Sequence, residues 1–145
     1  MGVRREGREA AVQYLYQHDL NPTSELADVA VFYKMRGLSP AARRFSDVLI
    51  PGILEATPEI DPLIATNVAN YGMNRLAAID RNILRLGVYE MMHCPDVPPV
   101  VAINEAIEIA KKYSTADSGK FVNGILDKIR LSLPKQTDTA PKSEH

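Results

Sequence analysis

The chain has 145 residues, with 17 Lys plus Arg against 18 Asp plus Glu, a formal charge of −1, and 46% hydrophobic and 24% charged residues. That balance predicts one globular domain and excludes a collagenous or wholly disordered chain. No apolar run approaches the roughly 18–20 residues of a membrane span, and Met1-Gly2-Val3-Arg4-Arg5 opens no signal-peptide hydrophobic block. The single cysteine, Cys94, excludes an internal disulfide framework and suits a reducing cytoplasm. A sequence pI of about 6.3 means that any nucleic-acid site must be a local cluster, because bulk charge does not supply one.

Val12, Leu15 and Tyr16 carry a helical stripe that Asp19 breaks, so a first helix ends near Leu20, before Asn21-Pro22. Ser24, followed by Glu25 and Asp28, starts a second helix to about Arg36, with Gly37 as terminator. Ser39-Pro40 is a cap followed by proline at the first helical position. Phe45, Val48, Leu49, Gly52, Ile53 and Ala56 then form one apolar stripe, interrupted by Pro51. Thr57-Pro58 and Asp61-Pro62 both read as helix starts; Asp61 is the favoured cap of a separate fourth helix, lined by Ile60, Leu63, Ile64 and Val68 and closed at Tyr71-Gly72. Leu76 to Met92 is apolar over more than half its circumference, the pattern of a central helix. After Pro95, Pro98 and Pro99, Val100, Ile103, Ala106, Ile107 and Ala110 form a further stripe, with Glu105, Glu108, Lys111 and Lys112 outward. A last helix spans about Asp117 to Leu131, with Phe121, Val122, Ile125, Leu126 and Ile129 inward. The expectation is an all-α domain of about seven helices over residues 1–133, with 134–145 a solvated tail.

Catalytic signals are poor. Cys94 beside His93 is a sequence neighbour, not a nucleophile–base pair, and is read as a buried thiol at a helix end. Glu90-x-x-His93 has di-iron spacing, yet no second Glu-x-x-His is present. No metal, cofactor or enzyme activity is expected. The local charge is more informative. Arg4, Arg5 and Arg8 cluster at the start of the first helix, and arginine forks match phosphate oxygens. Their alternative reading is a solvated helix end offset by Glu6 and Glu9. Asp117, Lys120 and Phe121 form a second candidate: Asp117 or Ser118 caps the last helix, Lys120 adds charge, and Phe121 stacks on a base if exposed. The alternative makes Asp117 only a cap and Phe121 only core. Tyr16 reads by default as edge packing and Asp80 as a dipole or ion-pair residue. Arg81 and Arg85 read as a helix face paired with carboxylates.

These stretches resemble the NusB family of bacterial transcription antitermination factors. The residues that carry the resemblance are Arg4-Arg5 with Arg8-Glu9-Ala10-Ala11-Val12-Gln13 and Leu15-Tyr16, then Asp80-Arg81 with Ile83-Leu84-Arg85 and Tyr89-Glu90. Asp96-Val97-Pro98 with Val101 to Glu108, and Lys120 to Leu126, extend it over about residues 4 to 130. The resemblance implies an all-helical, non-enzymatic cytoplasmic factor without cofactor. Such a factor pairs with NusE, a small-subunit ribosomal protein, binds single-stranded boxA RNA of ribosomal leaders and joins a complex on RNA polymerase. It further implies Arg4, Arg5, Arg8, Asp117, Lys120 and Phe121 as RNA-side residues and Tyr16 and Asp80 as NusE-facing. Some members self-associate, so a homodimer stands among the partners. Glu6 and Gly7 interrupt the arginine-rich start and predict a looser arm, and Asn74 replaces an acidic partner-facing residue of some relatives. The leading rival is a protein–protein adaptor that never touches RNA; a metal enzyme and the NusB-like domain found fused to RNA cytosine methyltransferases are the others.

Overall fold

A computed structural model describes residues 2–21, 28–68 and 76–134. The expected helix start at Ser24, the terminator at Tyr71-Gly72, Asn74 and nearly all of the expected tail lie outside them. Among the described residues there are six helices and no strand: α1 Val3–Leu20, α2 Asp28–Arg36, α3 Pro40–Asn67, α4 Ala78–His93, α5 Pro99–Tyr113 and α6 Ala116–Ser132.

Local chemistry sets most of the boundaries. Gly37 ends α2 in the left-handed region at φ 72°, where a side chain would be strained. The Ala42 N–H donates to Ser39 Oγ at 3.2 Å, which caps α3 as the Ser-Pro signal predicts. At α6 the cap differs from the sequence expectation. Thr115 Oγ1 accepts from the Ser118 N–H at 3.0 Å, so Asp117 and Ser118 lie inside the first turn and neither is the cap. An unassuming Thr two residues upstream fills that role.

The predicted break at Asp61 does not occur. α3 runs as one 28-residue helix through Pro51, Pro58 and Pro62. An interior proline costs about 3 kcal/mol. Each of the buried side chains Leu49, Ile50, Ile53, Ile60 and Ile64 contributes roughly 1.5–3 kcal/mol if the helix continues. Asp61 is not a cap. Its two carboxylate oxygens accept from Arg85 Nε and Nη2, both at 2.8 Å, which ties α3 to α4 in mid-helix. That merger accounts for six helices where about seven are expected.

α4 is the central helix that its broad apolar surface predicts. Ile83, Leu84, Leu86 and Val88 are all fully buried, and α1, α3, α5 and α6 all pack on α4. Gly87 allows the close approach of α6, since a Cβ there would lie 2.7 Å from Leu126 Cδ1. At the far end of α1, Asp19 accepts from Arg81 Nε at 2.8 Å, Asn82 Nδ2 at 3.1 Å and Arg85 Nη1 at 3.3 Å. Burial pushes the Asp19 carboxyl up, but the two guanidinium groups more than offset it, so it sits below the usual carboxylate range. Two stripe residues face outward instead of inward: Val48 is 57% and Val100 58% exposed, because each lies at the margin of its stripe.

Candidate nucleic-acid and partner interface

The arginine-rich start of α1 does not project freely; each guanidinium meets a carboxylate from later in the chain. Arg4 donates to Asp96 Oδ2 at 2.8 Å and lies 4.9 Å above the Phe45 ring, with half of its side chain exposed. Arg5 places its fork on both oxygens of Glu105 at 2.8 Å. That contact holds the Glu105 carboxyl below its usual range, and the Arg4 contact does the same for Asp96. The Arg5 side chain keeps a third of its surface open.

Arg8 is a correction to the sequence reading. It is 4% exposed, and its fork closes on Glu90 at 2.8 and 2.9 Å inside the protein. Burial pushes the Glu90 carboxyl up, opposed by the hydrogen bonds and charge of Arg8. Arg8 therefore has no edge to present to a phosphate. The i, i+4 spacing with Arg4 puts the two on one side of the helix, but α4 and α5 cover the inner one. The expected offset by Glu6 and Glu9 is also corrected. Glu6 accepts from Ser39 Oγ at 3.2 Å, and buried Glu9 accepts from Lys112 Nζ at 3.0 Å and Tyr113 Oη at 2.9 Å. The acids that answer the arginines are Glu90, Asp96 and Glu105. The sequence pattern puts Glu105 on the outward face with Glu108, Lys111 and Lys112, and nothing local sets it apart from them.

Gly7 is likewise not a weak spot in the arm. It is buried where α1 crosses α3, and a Cβ would lie 2.8 Å from the Ala42 carbonyl oxygen and 3.0 Å from Phe45. Glycine allows that approach, and the helix begins upstream at Val3. The loosening expected from Gly7 is thus replaced by a tight crossing.

α5 connects this end to the start of α6. Gly119 packs on Lys111 Cγ, where a Cβ would stand 3.3 Å away, while the neighbouring Lys112 reaches across to Glu9 of α1. The last turns of α5 thus have α1 on one flank and α6 on the other. Asp117 and Lys120 are exposed on that first turn of α6, and Phe121 is half-buried against the core.

Tyr16 opens on a different feature. It is 37% exposed and lines a groove of about 830 Å³ with Val31, Phe32, Met35, Ile79 and Tyr113. Met35 is 84% and Val31 58% exposed, an unusual display of apolar surface on a small domain. Asp80 follows the lining residue Ile79 in sequence and is half-buried. Its Oδ2 accepts from Ser118 Oγ at 3.1 Å, and its Oδ1 is buried with no hydrogen-bond partner among the described residues. Tyr113 belongs to both regions, its ring lining the groove and its hydroxyl on Glu9.

The enzyme-like signals are dispersed by the fold. Glu90 turns to Arg8, whereas His93 Nε2 faces Glu59 at 2.9 Å. Cys94 is half-buried, and burial pushes its thiol up to about 11, away from nucleophilic thiolate. No helix among the described residues is long and apolar enough to cross a membrane.

Residues 5–130 match the family model described as NusB family. The chain is 43% identical over 136 residues to the transcription antitermination protein NusB of Geobacter sulfurreducens, covering 92% of this chain and 98% of that one. Among solved structures it resembles T. maritima NusB at 38% identity, with a TM-score of 0.82 over 92% of this chain and 94% of that one. It also resembles a chain from the structure of antitermination factors NusB and NusE in complex with dsRNA. That match is 27% identical, with a TM-score of 0.83 over 92% of this chain and 99% of the other.

Proposed function

The chain belongs to the NusB family, and from that premise we propose that it is a non-enzymatic antitermination factor. In this reading it binds boxA RNA of nascent ribosomal transcripts together with NusE and promotes processive transcription by RNA polymerase. The supporting observation is that Arg5 of the α1 arm pairs with Glu105 of α5, while Gly119, next to Lys120 in the first turns of α6, packs on Ile107 and Lys111 of the same helix. Arg4 and Arg5 are the phosphate contacts, held in shape by Asp96 and Glu105. A phosphate competes with those carboxylates for guanidinium edges that are already oriented. Lys120 supplies a further point charge, and the exposed part of Phe121 a face for a base. Arg8 acts beneath them, fixing the first turns of α1 to α4.

The Tyr16 groove, with Asp80 beside its lining residue Ile79, is the surface for NusE. Its apolar walls suit a protein, not a polyanion, and Asp80, next to the lining residue Ile79, accepts from Ser118 in the first turn of α6. A partner seated there buries Met35 and adds basic surface beside the arm, so RNA affinity rises in the heterodimer. Each neutralised phosphate on a single strand adds about −0.7 to the log–log salt slope. The test is a titration of boxA RNA with and without NusE over a salt series. A marked gain with NusE is expected, and equal affinity rejects the cooperative reading. A pure protein adaptor is distinguished by photocrosslinking, since it binds NusE yet gives no RNA adduct at Lys120 or Phe121.

A further inference from the structure

Residues 29–46, covering nearly all of α2 and the start of α3, contain Lys34, Arg36, Arg43 and Arg44 and no acidic residue. Their arginines are used differently from those of α1 and α4, whose guanidinium groups close on carboxylates. Arg36 is spent within the fold, donating to Gln13 Oε1 at 2.7 Å. The other three cations are exposed. Arg43 lies 4.9 Å from the centroid of the Tyr33 ring, and its only ion pair among the described residues is a 3.9 Å approach to Asp47 with both side chains about half exposed. A pair of that kind is worth little in water and leaves the guanidinium edges open. Lys34 and Arg44 take part in no ion pair among the described residues.

The corner is fixed beside the α1 arm. Ser39 donates to Glu6, Gly7 sits on the Ala42 carbonyl, and Arg4 lies over Phe45, the residue that follows Arg44. We propose that Lys34, Arg43 and Arg44 form a second phosphate-contacting surface that takes the single-stranded RNA flanking the element held at the α1 arm. This inference rests on the RNA-binding reading above and extends the RNA's path past Phe45 onto the α2–α3 corner. A polyanion fits because the corner offers separated, solvated cations on a rigid support, the arrangement that grips phosphates without reading bases.

The experiment uses the full chain with NusE and two RNAs, boxA alone and boxA with native flanks on both sides. Wild type is compared with Lys34→Gln and with the double variant Arg43→Gln/Arg44→Gln, all surface changes whose folding is checked by circular dichroism. Wild type should bind the longer RNA more tightly. The double variant should lose most of that gain and lower its salt slope by about 1.4, two contacts at about 0.7 each, with Lys34→Gln losing about half as much. Binding of boxA alone should be unchanged. The proposal is overturned if both variants keep the full gain on the longer RNA, if the loss is equal on both RNAs, or if the variants lose NusE when no RNA is present. Failure of wild type to bind either RNA removes the RNA-binding reading itself, and this extension with it.

Discussion

The start of α1 and the Tyr16 groove lie on the same helix yet are built on opposite principles. At the start, three arginines are answered by later acids, and the innermost pair, Arg8 with Glu90, is sealed from water. In the groove, Met35 and Val31 stand exposed. One region has settled its electrostatics internally and offers only edges. The other leaves apolar surface in water and gains free energy when something covers it. A prepaired charged surface exchanges one partner for another at small net gain, which favours readily reversible contacts. An uncovered apolar groove favours a more lasting one.

The largest expected effect comes from breaking the sealed pair. Arg8→Ala strands the Glu90 carboxyl in the core and should cost about 3–5 kcal/mol in urea unfolding. The double change Arg8→Met/Glu90→Leu should recover most of that loss. If Arg8→Ala leaves stability intact and weakens only RNA binding, the guanidinium belongs at the surface. In the groove, Met35→Asp should leave stability within about 0.5 kcal/mol, since its side chain is already in water. It should weaken NusE at least tenfold in calorimetry while sparing the binding of RNA alone. Parallel loss of both ligands would merge the two regions into one.

Acid gives the smallest effect. Glu105 and Asp96 are held below their ordinary values by Arg5 and Arg4. Their stabilising contribution is complete above the unfolded carboxylate range and fades as pH falls through the depressed folded values. Unfolding midpoints between pH 7 and 3 should therefore decline less in Glu105→Gln than in wild type. An identical decline would mean that Arg5 does not hold that carboxylate in solution.

The sequence made the helices legible wherever a narrow apolar stripe marked the buried side, as in α5 and α6, and wherever a Ser-Pro or Gly set a boundary. It misled at Asp61, because a cap signal is local whereas the isoleucines that carry α3 onward act through tertiary burial. Tyr16 could be recognised as an edge residue, but the groove could not, since Val31 and Met35 meet it only when α2 folds back. Arg4 and Arg5 could be read as a charged cluster. That Arg8 points inward could not, because the pairing with Glu90 spans 82 positions and no local pattern announces it.

The unbroken α3 has a mechanical consequence. At 1.5 Å per residue its 28 residues span about 42 Å, comparable to a small domain's full width. Near its beginning it is bolted to the first turns of α1 through Ser39 and Ala42, and farther along, through Asp61 and Arg85, to the carboxylate of Asp19 near α1's end. Two helices joined at both ends behave as a braced frame, so the edge proposed to meet the nucleic acid and the edge proposed to meet the ribosomal protein keep a fixed separation. Whatever assembles on this scaffold must conform to that span.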